Sequence, residues 1–474
     1  MDARGKPPPS MNFSSLAAVV LCAGKGTRMK GNRPKVLHPI LGRPMSYYPI
    51  TRAFDVGASN VVVVVGHQSD EVKQVLSQEF STRTLSFALQ NPQNGTGHAV
   101  ACAGPALKEF RGAVLILSGD VPLITSQTLQ KLIDAYRATP GPLALLSFKP
   151  KDATGYGRIV RENGRAKQIV EHKDASEAQR QIDEVNAGIY LADAGFLFEA
   201  VKSLTPKNAQ GELYLTDIVA AASDVAVVEA HPDEIAGVND RAQLAALGKA
   251  LQARINHAHL AAGVSMVSPE TTFIDENVTI GEDSTLGPNV TLADGTQIGS
   301  NVRIGQGCVI TRSIVGDGVE LKPYSVLEEA HVGSKSVVGP FSRLRPGTEL
   351  AEGVHVGNFV ETKKAKIGKG SKANHLAYLG DAVIGEGTNI GAGVITCNYD
   401  GVHKHLTTIG DRVFVGTDSQ LVAPVTLGND VFVAAGTTVT DDVPAGSLAL
   451  SRSPQTLKEG WTLRRKKLLD GMKK

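Results

Sequence analysis

The feature that most constrains this fold is an aliphatic residue at every sixth position through much of the second half of the chain. It recurs in three in-phase runs, from Ile274 to Ile310, from Val332 to Val356 and from Ile409 to Val439. Neither a helix nor an alternating strand has this period. Glycine often follows the aliphatic residue, as in Ile280-Gly281, and supplies backbone freedom for a tight turn. The period therefore predicts a parallel β-helix, and three long runs argue against a chance bias in a β-sandwich.

The first half of the chain has a different pattern. The apolar runs 17–21, 61–65 and 114–117 are typical of buried parallel strands, and segments 69–78 and 125–136 have helical periodicity. This alternation predicts a Rossmann-like, doubly wound α/β sheet that binds ligands at the carboxyl ends of its strands.

Between the two patterns, leucines and an isoleucine recur at three- and four-residue steps from Leu244 to Ile255. Asn239 or Asp240 can cap the start of this helix and Gly263 can end it. We therefore expect a disordered tail at 1–15, an α/β domain at 16–240, a linker helix at 241–262, a β-helix at 263–455 and a basic tail at 456–474.

Composition excludes several classes of protein. Lys and Arg number 49 against 47 Asp and Glu, so the charge gives no case for nucleic-acid binding. No apolar run approaches the ~18 residues of a membrane span, and the N-terminus lacks the apolar core of a signal peptide. The four cysteines form no CxxC pair, and scattered thiols fit a reducing compartment. We expect a cytoplasmic protein with no membrane or nucleic-acid partner.

A glycine-rich turn, residues 21–29, follows the first strand directly. Backbone N–H groups in such a turn point at phosphate, and Lys25 and Arg28 add positive charge. The turn is neither a Walker A motif nor GxGxxG, and alone it could equally be an ordinary loop. Lys35 follows in the segment Arg33-Pro34-Lys35 and strengthens the phosphate interpretation.

Other segments predict the rest of a nucleotide site. Residues 90–99 carry amides that can read a nucleobase edge, and Asp120 follows a buried strand, where a Mg²⁺ ligand would lie. Asn239 would return a second oxygen ligand. Loops 155–158, 170–173 and 185–188 suit a sugar, whereas His67 and His98 are interpreted as structural. A phosphate oxygen is already a nucleophile, so a transfer in which it attacks needs positive charge and no general base.

The six-residue register is interrupted between about 357 and 408, and interruptions of solenoids carry binding loops. His375 lies in this polar stretch and can be a general base near neutral pH. The segment 341–347 adds cations suited to a phosphate.

The motif LxAGxGTRM followed by Pro34-Lys35 resembles the signature of sugar-phosphate nucleotidylyltransferases. Over residues 16–460, the whole chain resembles the bacterial bifunctional N-acetylglucosamine-1-phosphate uridylyltransferase/glucosamine-1-phosphate N-acetyltransferase family. That resemblance implies a homotrimer of left-handed β-helices with acetyltransferase sites shared by neighbouring subunits. It also implies acetyl-CoA, UTP and Mg²⁺ as reactants and cofactor, and UDP-N-acetylglucosamine for peptidoglycan and lipopolysaccharide as product.

The resemblance also implies roles for individual residues. In the uridylyltransferase site, Lys25 and Arg28 are catalytic and Asp120 and Asn239 bind Mg²⁺; the nucleotide and sugar are bound by Leu21, Cys22, Ala23, Gly24, Lys35, Gln90, Gly95, Thr96, Ser118, Gly119, Gly157, Glu171 and Asn186. In the acetyltransferase site, His375 and Asn398 are catalytic, and the sugar phosphate is held by Arg345, Lys363, Tyr378 and Asn389. Acetyl-CoA is bound by Ala392, Asn398, Tyr399, Thr417, Ala435 and Arg452. Glu361 is implied to support the region of His375.

The sequence departs from the family pattern at Cys22, where alanine is usual, and at Thr417, where serine is usual. Three alternatives are a nucleotidylyltransferase with a purely structural β-helix, a non-catalytic scaffold, and a metal-dependent carbonic anhydrase. The intact motifs around Asp120, His375 and Asn398 disfavour the first two, and the histidines of the second half lack clear ligand spacing for the third.

Overall fold

The computed structural model describes residues 15–451 and 454–472. The chain forms two compact units that divide between Leu251 and Gln252, and each is described by itself. The expected tail before Ser15 and the predicted ligand-binding residue Arg452 lie outside the described residues.

The described residues of the first unit form eleven strands and most of the α-helices. Its strands are β1 Leu16–Cys22, β2 Pro39–Ile40, β3 Arg43–Pro44, β4 Ala58–Val65, β5 Leu85–Leu89, β6 Ala113–Ser118, β7 Leu143–Phe148, β8 Arg158–Glu162, β9 Arg165–Val170, β10 Val185–Asp193 and β11 Val225–Glu229. Its helices are α1 Tyr47–Asp55, α2 Ser69–Glu79, α3 Thr96–Ala103, α4 Ser126–Ala138, α5 Glu177–Arg180, α6 Ala194–Lys202, α7 Ile218–Ala221 and α8 Pro232–Ile235, followed by α9 Arg241–Ala261.

Nine of these strands form the expected sheet with helices on both faces, and β2 and β3 form a separate antiparallel pair. The main order is β11-β7-β10-β6-β1-β4-β5, and β8 and β9 extend it as a hairpin beside β10. The pairs along β6-β1-β4-β5 are parallel, whereas β10 runs antiparallel to β6 and β7. Alternate residues of β1 face two separate cores: Ala18 and Val20 lie in one, Ala17 and Val19 in the other. Burial on both faces explains why these strands are continuously apolar.

Helix α9 spans the division between the two units, since Leu251 and Gln252 both lie within it. Its start is capped by Asp240, whose Oδ1 accepts from Gln243 N at 2.8 Å, and Gly263 follows its end at φ +90°. In the second unit, Gln252 Nε2 and Asn256 Nδ2 donate to the carbonyl of Thr272 at 2.8 and 2.9 Å. The second half of the helix therefore covers the first turn of the β-helix with hydrogen-bond donors.

The second unit is the expected parallel β-helix with three faces. One face is a single eleven-stranded sheet, built from Ser265–Met266, Thr285–Leu286, Arg303–Ile304, Glu320–Leu321, Val337–Val338, His355–Asn358, Lys372–His375, Asn389–Ile390, Phe414–Val415, Phe432–Val433 and Leu448–Ala449. The other two faces form one seventeen-stranded sheet, built from Phe273–Ile274, Thr279–Ile280, Thr291–Ala293, Gln297–Ile298, Val309–Thr311, Ile314–Val315, Val326–Glu328, His331–Val332, Arg343–Leu344, Glu349–Leu350, Glu361–Ile367, Tyr378–Ile384, Ile395–Cys397, Thr407–Ile409, Gln420–Val422, Val425–Leu427 and Thr438–Val439. Ile274 pairs with Leu292, eighteen residues later, so one coil spans three six-residue repeats.

The expected interruption between 357 and 408 is wrong for most of that stretch. Thr362 pairs with Leu379, and Ala373 with Ile390, so the stack continues with coils that are one residue shorter. The inward position is filled by buried Thr362 and Thr396, which a search for aliphatic residues misses. Residues 398–406 form an insertion that loops out of the stack, and Ile384 pairs with Ile409 across it.

The basic segment after residue 455 contains a helix, α10 Trp461–Met472, whose residues are all exposed. The expectation of a plain tail did not include it. Among the described residues, no helix is both long and apolar enough to cross a bilayer.

Candidate active sites

A cavity of about 410 Å³ lies at the carboxyl ends of β1, β5 and β6. Ten of the predicted residues line it: Leu21, Ala23, Gly24, Lys25, Lys35, Gln90, Gly95, Thr96, Ser118 and Asp120. Because the ends of parallel strands meet at one edge, motifs about a hundred residues apart in sequence come together.

The glycine-rich turn is fixed against Lys35 by a close backbone approach. Gly26 has φ +59°, and a Cβ there would lie 2.5 Å from the Cβ of Lys35. A side chain at this position would therefore push away a lysine that lines the cavity.

Asp120 and Asn239 converge on one point. The backbone N of Val238 donates to the carbonyl of Asp120 at 2.9 Å, which brings Asn239 beside the carboxylate. The ammonium of Lys35 forms an ion pair with Asp120 and lies 3.4 Å from Asn239 Oδ1. Arg28 also donates to that oxygen, at 2.8 Å.

These two residues fit a Mg²⁺ ion by the chemistry of their donors. A carboxylate and an amide oxygen already share one cation, the lysine ammonium, and both are hard oxygen ligands. Mg²⁺ takes few protein ligands and completes its shell with water and substrate phosphate. In the described part of the chain, no group of three or more His, Cys, Asp and Glu residues is arranged to hold a metal ion.

Cys22 lies behind the cavity, in the core of the first unit, and does not line it. It is 3% exposed, and burial, with a smaller contribution from the negative charge of Asp120, raises the pKa of its thiol. A Cβ on Gly119 would lie 2.5 Å from Cys22 Sγ, so the glycine leaves room for the sulfur.

The part of the cavity lined by Gln90 and Thr96 also contacts a distant loop, residues 212–215. Gln90 is buried and donates to the carbonyl of Gly95 at 2.9 Å, while Thr96 Oγ1 accepts from Leu215 N at 3.1 Å. Glu212 and Gln93 also line the cavity and were not predicted. Gln93 lies within the quoted segment 90–99, whereas no motif marked Glu212.

The predicted sugar residues form a second group beside this one. A Cβ on Gly157 would lie 3.3 Å from Glu171 Oε1, and Asn186 N donates to the Gly157 carbonyl at 2.9 Å. Thr216 follows Leu215, whose backbone N donates to Thr96, and its own hydroxyl donates to Glu171 Oε1 at 3.3 Å. Burial raises the pKa of Glu171, an effect only partly offset by that hydrogen bond.

In the second unit, His375 lines a cavity of about 310 Å³ together with Asn358 and His355. His375 Nδ1 lies 3.0 Å from Asn358 Oδ1, so its hydrogen-bond partner is an amide. Glu361, which we expect to support the region of His375, accepts from Arg345 Nη1 at 2.7 Å. The two strands that carry Asn358 and His375 are paired, which explains the contact.

The predicted phosphate-binding cations lie on a neighbouring face. Arg345 and Lys363 follow paired strand positions on successive coils. Direct contact with the Lys404 side chain and its charge, with a smaller contribution from Arg345, lowers the pKa of Lys363. Lys404 belongs to the insertion 398–406 and was not predicted. Tyr378 begins the next strand on this face, and Asn389 lies on the face that carries His375.

Asn398 begins the insertion and is buried. Its Nδ2 donates to Asp381 Oδ2 at 2.5 Å, which fixes the orientation of the amide. Tyr399 is exposed and donates to the carbonyl of Gly401 at 2.6 Å, so the ring projects from the surface.

Three predicted acetyl-CoA residues stack at one corner of the β-helix. Asp418 N donates to the carbonyl of Ala392 at 2.7 Å, and Gly436 N to that of Thr417 at 2.8 Å. Ala392, Thr417 and Ala435 therefore occupy equivalent places on successive coils.

A larger cavity, of about 700 Å³, lies beside α3 and α6 and contains none of the predicted residues. Its wall is mostly apolar, with Phe110 and Phe198. We assign no chemistry to it.

The family models match each half separately. Residues 18–189 match the MobA-like NTP transferase domain, residues 268–367 match the GMPPB C-terminal domain, and residues 406–441 match six repeats of the bacterial transferase hexapeptide. The fold and these matches define a nucleotidyltransferase domain joined to a hexapeptide-repeat acyltransferase domain, consistent with the expected left-handed β-helix.

Curated relatives match along nearly the whole chain. The protein named "Bifunctional protein GlmU" of Geotalea uraniireducens is 51% identical over 460 residues, which covers 96% of this chain and all of the relative. The proteins of that name from Pelobacter propionicus and Geobacter sulfurreducens are 51% and 48% identical, with the same coverage. The chain belongs to the GlmU family of bifunctional enzymes. The resemblance inferred from the motifs is thereby confirmed.

Proposed function

We propose that this enzyme makes UDP-N-acetylglucosamine in two steps. The second unit transfers an acetyl group from acetyl-CoA to the amine of glucosamine-1-phosphate. The first unit then transfers uridylyl from UTP to N-acetylglucosamine-1-phosphate and releases pyrophosphate. The observation that carries the proposal is the cavity at the carboxyl ends of β1, β5 and β6, which gathers the phosphate turn, the base-reading amides and Asp120.

Uridylyl transfer joins two anions, so the residues of this cavity act mainly through charge. Lys25, Arg28 and Lys35 bring positive charge to the side where Asp120 and Asn239 converge. Preorganised charge of this kind stabilises the negative transition state of phosphoryl-type transfer. The attacking phosphate oxygen needs no base.

Asp120 and Asn239 are the residues that would hold Mg²⁺. When bound there, the ion would neutralise phosphate charge and favour departure of pyrophosphate. Gly157, Glu171 and Asn186 would hold the N-acetylglucosamine, and Gln90, Gly95 and Thr96 the uracil.

Acetyl transfer needs a free amine, because a protonated amine cannot attack a thioester. His375 removes the proton, and its ring is oriented by Asn358. Asn398 can stabilise the tetrahedral oxyanion with the amide proton that Asp381 does not use. Arg345 and Lys363 would bind the sugar phosphate, and Tyr378 and Asn389 the sugar. The corner at Ala392, Thr417 and Ala435, with Tyr399 and Arg452, would bind acetyl-CoA.

We further propose that three chains assemble through their β-helices and share the acetyltransferase sites. Supporting this, the cations on one face and the acetyl-CoA corner are built from different parts of the coil, and Tyr399 is exposed in the single chain. Light scattering at decreasing concentration tests the idea. We expect the mass of a trimer and a loss of acetyl transfer on dissociation; a monomer with the full rate would overturn it.

We also propose the domain boundaries predicted from the sequence: an α/β domain at 16–240, a linker helix at 241–262 and a β-helix at 263–455. We also place the enzyme in the cytoplasm, because its four cysteines are free and its proposed substrates are intracellular metabolites.

A coupled assay tests the proposed function as a whole. The purified protein is given glucosamine-1-phosphate, acetyl-CoA, UTP and Mg²⁺, and each is omitted in turn. We expect UDP-N-acetylglucosamine only in the complete mixture, and supplied N-acetylglucosamine-1-phosphate should remove the need for acetyl-CoA. Uridylyl transfer without acetyl transfer would instead favour a nucleotidylyltransferase with a structural β-helix.

A further inference from the structure

Arg158 is a buried cation to which neither step described above gives a role. Arg158 is 2% exposed, and it forms no ion pair with any of the described residues. Burying a charge is costly unless hydrogen bonds compensate. Its guanidinium therefore needs a reason to lie where it does.

The guanidinium joins three segments of the chain. Nη1 donates to the carbonyl of Tyr156 at 2.5 Å and lies 3.1 Å from Nδ1 of His172. Nη2 donates to the carbonyl of Arg180 at 3.3 Å, and Nε has no hydrogen-bond partner among the described residues. Hydrogen bonds from Thr154, with smaller contributions from the charges of His172 and Arg158, lower the pKa of Asp152, whose Oδ1 accepts from Thr154 N at 2.9 Å.

The backbone of Arg158 lies at the centre of the proposed sugar site. It pairs with Val170 on one side and with Val185 on the other. The residues that follow these two partners are Glu171 and Asn186, and the residue before Arg158 is Gly157. Each of the three proposed sugar-binding residues is thus the sequence neighbour of Arg158 or of one of its two strand partners, Val170 and Val185.

We propose that Arg158 is a positioning residue for the sugar phosphate substrate of uridylyl transfer. Its side chain holds the Tyr156 carbonyl and the His172 ring, the neighbours of Gly157 and Glu171, at a fixed separation. Only a planar guanidinium with several donors can hold the three acceptors together; a lysine ammonium keeps the charge but not the fork. The inference rests on the proposed sugar-binding role of Gly157, Glu171 and Asn186.

The test compares the full-length variants Arg158→Lys and His172→Phe with the unaltered protein. We expect Arg158→Lys to raise the KM for N-acetylglucosamine-1-phosphate about tenfold, with the KM for UTP changed less than about twofold. His172→Phe, which removes one of the three contacts, should shift the same KM in the same direction by a smaller factor. Acetyl transfer, measured on the same preparations, reports whether the chain is folded and should not change.

Three results would overturn the inference. The first is a lysine variant with the KM of the unaltered protein, which would show that the guanidinium fork is not needed. The second is an equal rise in both KM values, and the third is a lowered melting temperature with both KM values unchanged; either would indicate a purely structural role. If Arg158→Lys does not fold, His172→Phe alone decides.

Glu171→Gln separates this inference from the proposed function. If that variant leaves the KM for the sugar phosphate unchanged, the proposed sugar site itself is wrong. If Glu171→Gln raises that KM and both Arg158→Lys and His172→Phe do not, the site stands and the positioning role of Arg158 fails.

Discussion

The two candidate sites are built in opposite ways. In the first unit, parallel strands end at one edge, and the loops after them bring distant motifs into one cavity of about 410 Å³. In the second unit, the candidate residues are distributed over coils and faces, with His375 on one face and Arg345 and Lys363 on another. A doubly wound sheet gathers residues at a point, whereas a β-helix places them in rows.

The difference shows which contacts hold the residues of each site in position. Asp120 is fixed within its own unit by Ser118, at 2.7 Å, and by Lys35. The acetyltransferase residues depend on one insertion, 398–406, and on the proposed neighbouring chains. Substitutions in the first site should therefore affect only that site. The effects of substitutions in the second site should depend on whether the chains are assembled.

The largest expected effect is that of Asp120→Asn. Loss of the carboxylate removes the proposed metal ligand and the partner of Lys35, so uridylyl transfer should fall by about 10³-fold or more. Acetyl transfer by the same preparation should stay within about twofold. Loss of both activities would break the comparison, because it would mean that the sites are not independent.

His375→Ala tests the opposite half. Without the general base, acetyl transfer should fall by about 10²–10⁴-fold, with uridylyl transfer unaffected. Asn358→Ala serves as a graded comparison, since it leaves the imidazole and removes its 3.0 Å partner. An Asn358→Ala variant as slow as His375→Ala would contradict a merely orienting amide.

Gly119→Ala sharpens the picture of a preassembled first site. The new Cβ would lie 2.5 Å from Cys22 Sγ, and we expect a loss of about 1–3 kcal/mol in the free energy of unfolding of the first unit. The double variant Cys22→Ala, Gly119→Ala removes the sulfur and should recover part of that loss, because the Leu21 carbonyl oxygen, 3.0 Å from the new Cβ, remains. Denaturant unfolding measures both, and a double variant no more stable than Gly119→Ala would show that the strain lies elsewhere.

The smallest expected effect concerns the insertion of the second unit. Asp400 accepts from His405 Nε2 at 2.7 Å and from the backbone N of Val402 and His403. These bonds, that to His405 first, lower the pKa of Asp400 to about 2. The carboxylate form should therefore hold the loop closed above about pH 4 and release it as the pH falls towards 2.

NMR titration of the Asp400 carboxyl measures this prediction. His405→Ala should raise that pKa part of the way towards its ordinary value, because the two backbone donors remain. An unchanged pKa in the variant would show that the contact with His405 does not shape the loop.

Much of the first site could be predicted because its motifs lie directly after apolar strands. Periodicity locates such strands, and the geometry of parallel sheets brings their ends together. Glu212 escaped prediction because it enters the cavity through a loop whose position is set by contacts such as Gly97 N to the Leu213 carbonyl, 2.8 Å. No local pattern encodes such a contact.

In the second unit, the period of six predicted the fold and then misled about its interruption. Thr362 and Thr396 point inward although they are polar, since Thr362 shares a hydrogen bond with Thr348 and Thr396 donates to the Gly380 carbonyl. The partner of His375 depended on register between coils. Coils of eighteen residues give way to coils of seventeen and then to eighteen again, so the sequence did not reveal that Asn358 lies beside His375.

The two amides on the second half of α9 have a consequence for how the β-helix ends. A stack of parallel strands finishes in unpaired backbone groups, and such an end can join the end of another stack. Gln252 and Asn256 occupy the carbonyls of Pro269 and Thr272 with their own N–H groups. The helix thus caps the N-terminal end of the β-helix and prevents the ends of two β-helices from pairing into fibres. A separated second unit should keep it and begin before Gln252, whereas one cut at residue 263 would leave this end uncovered.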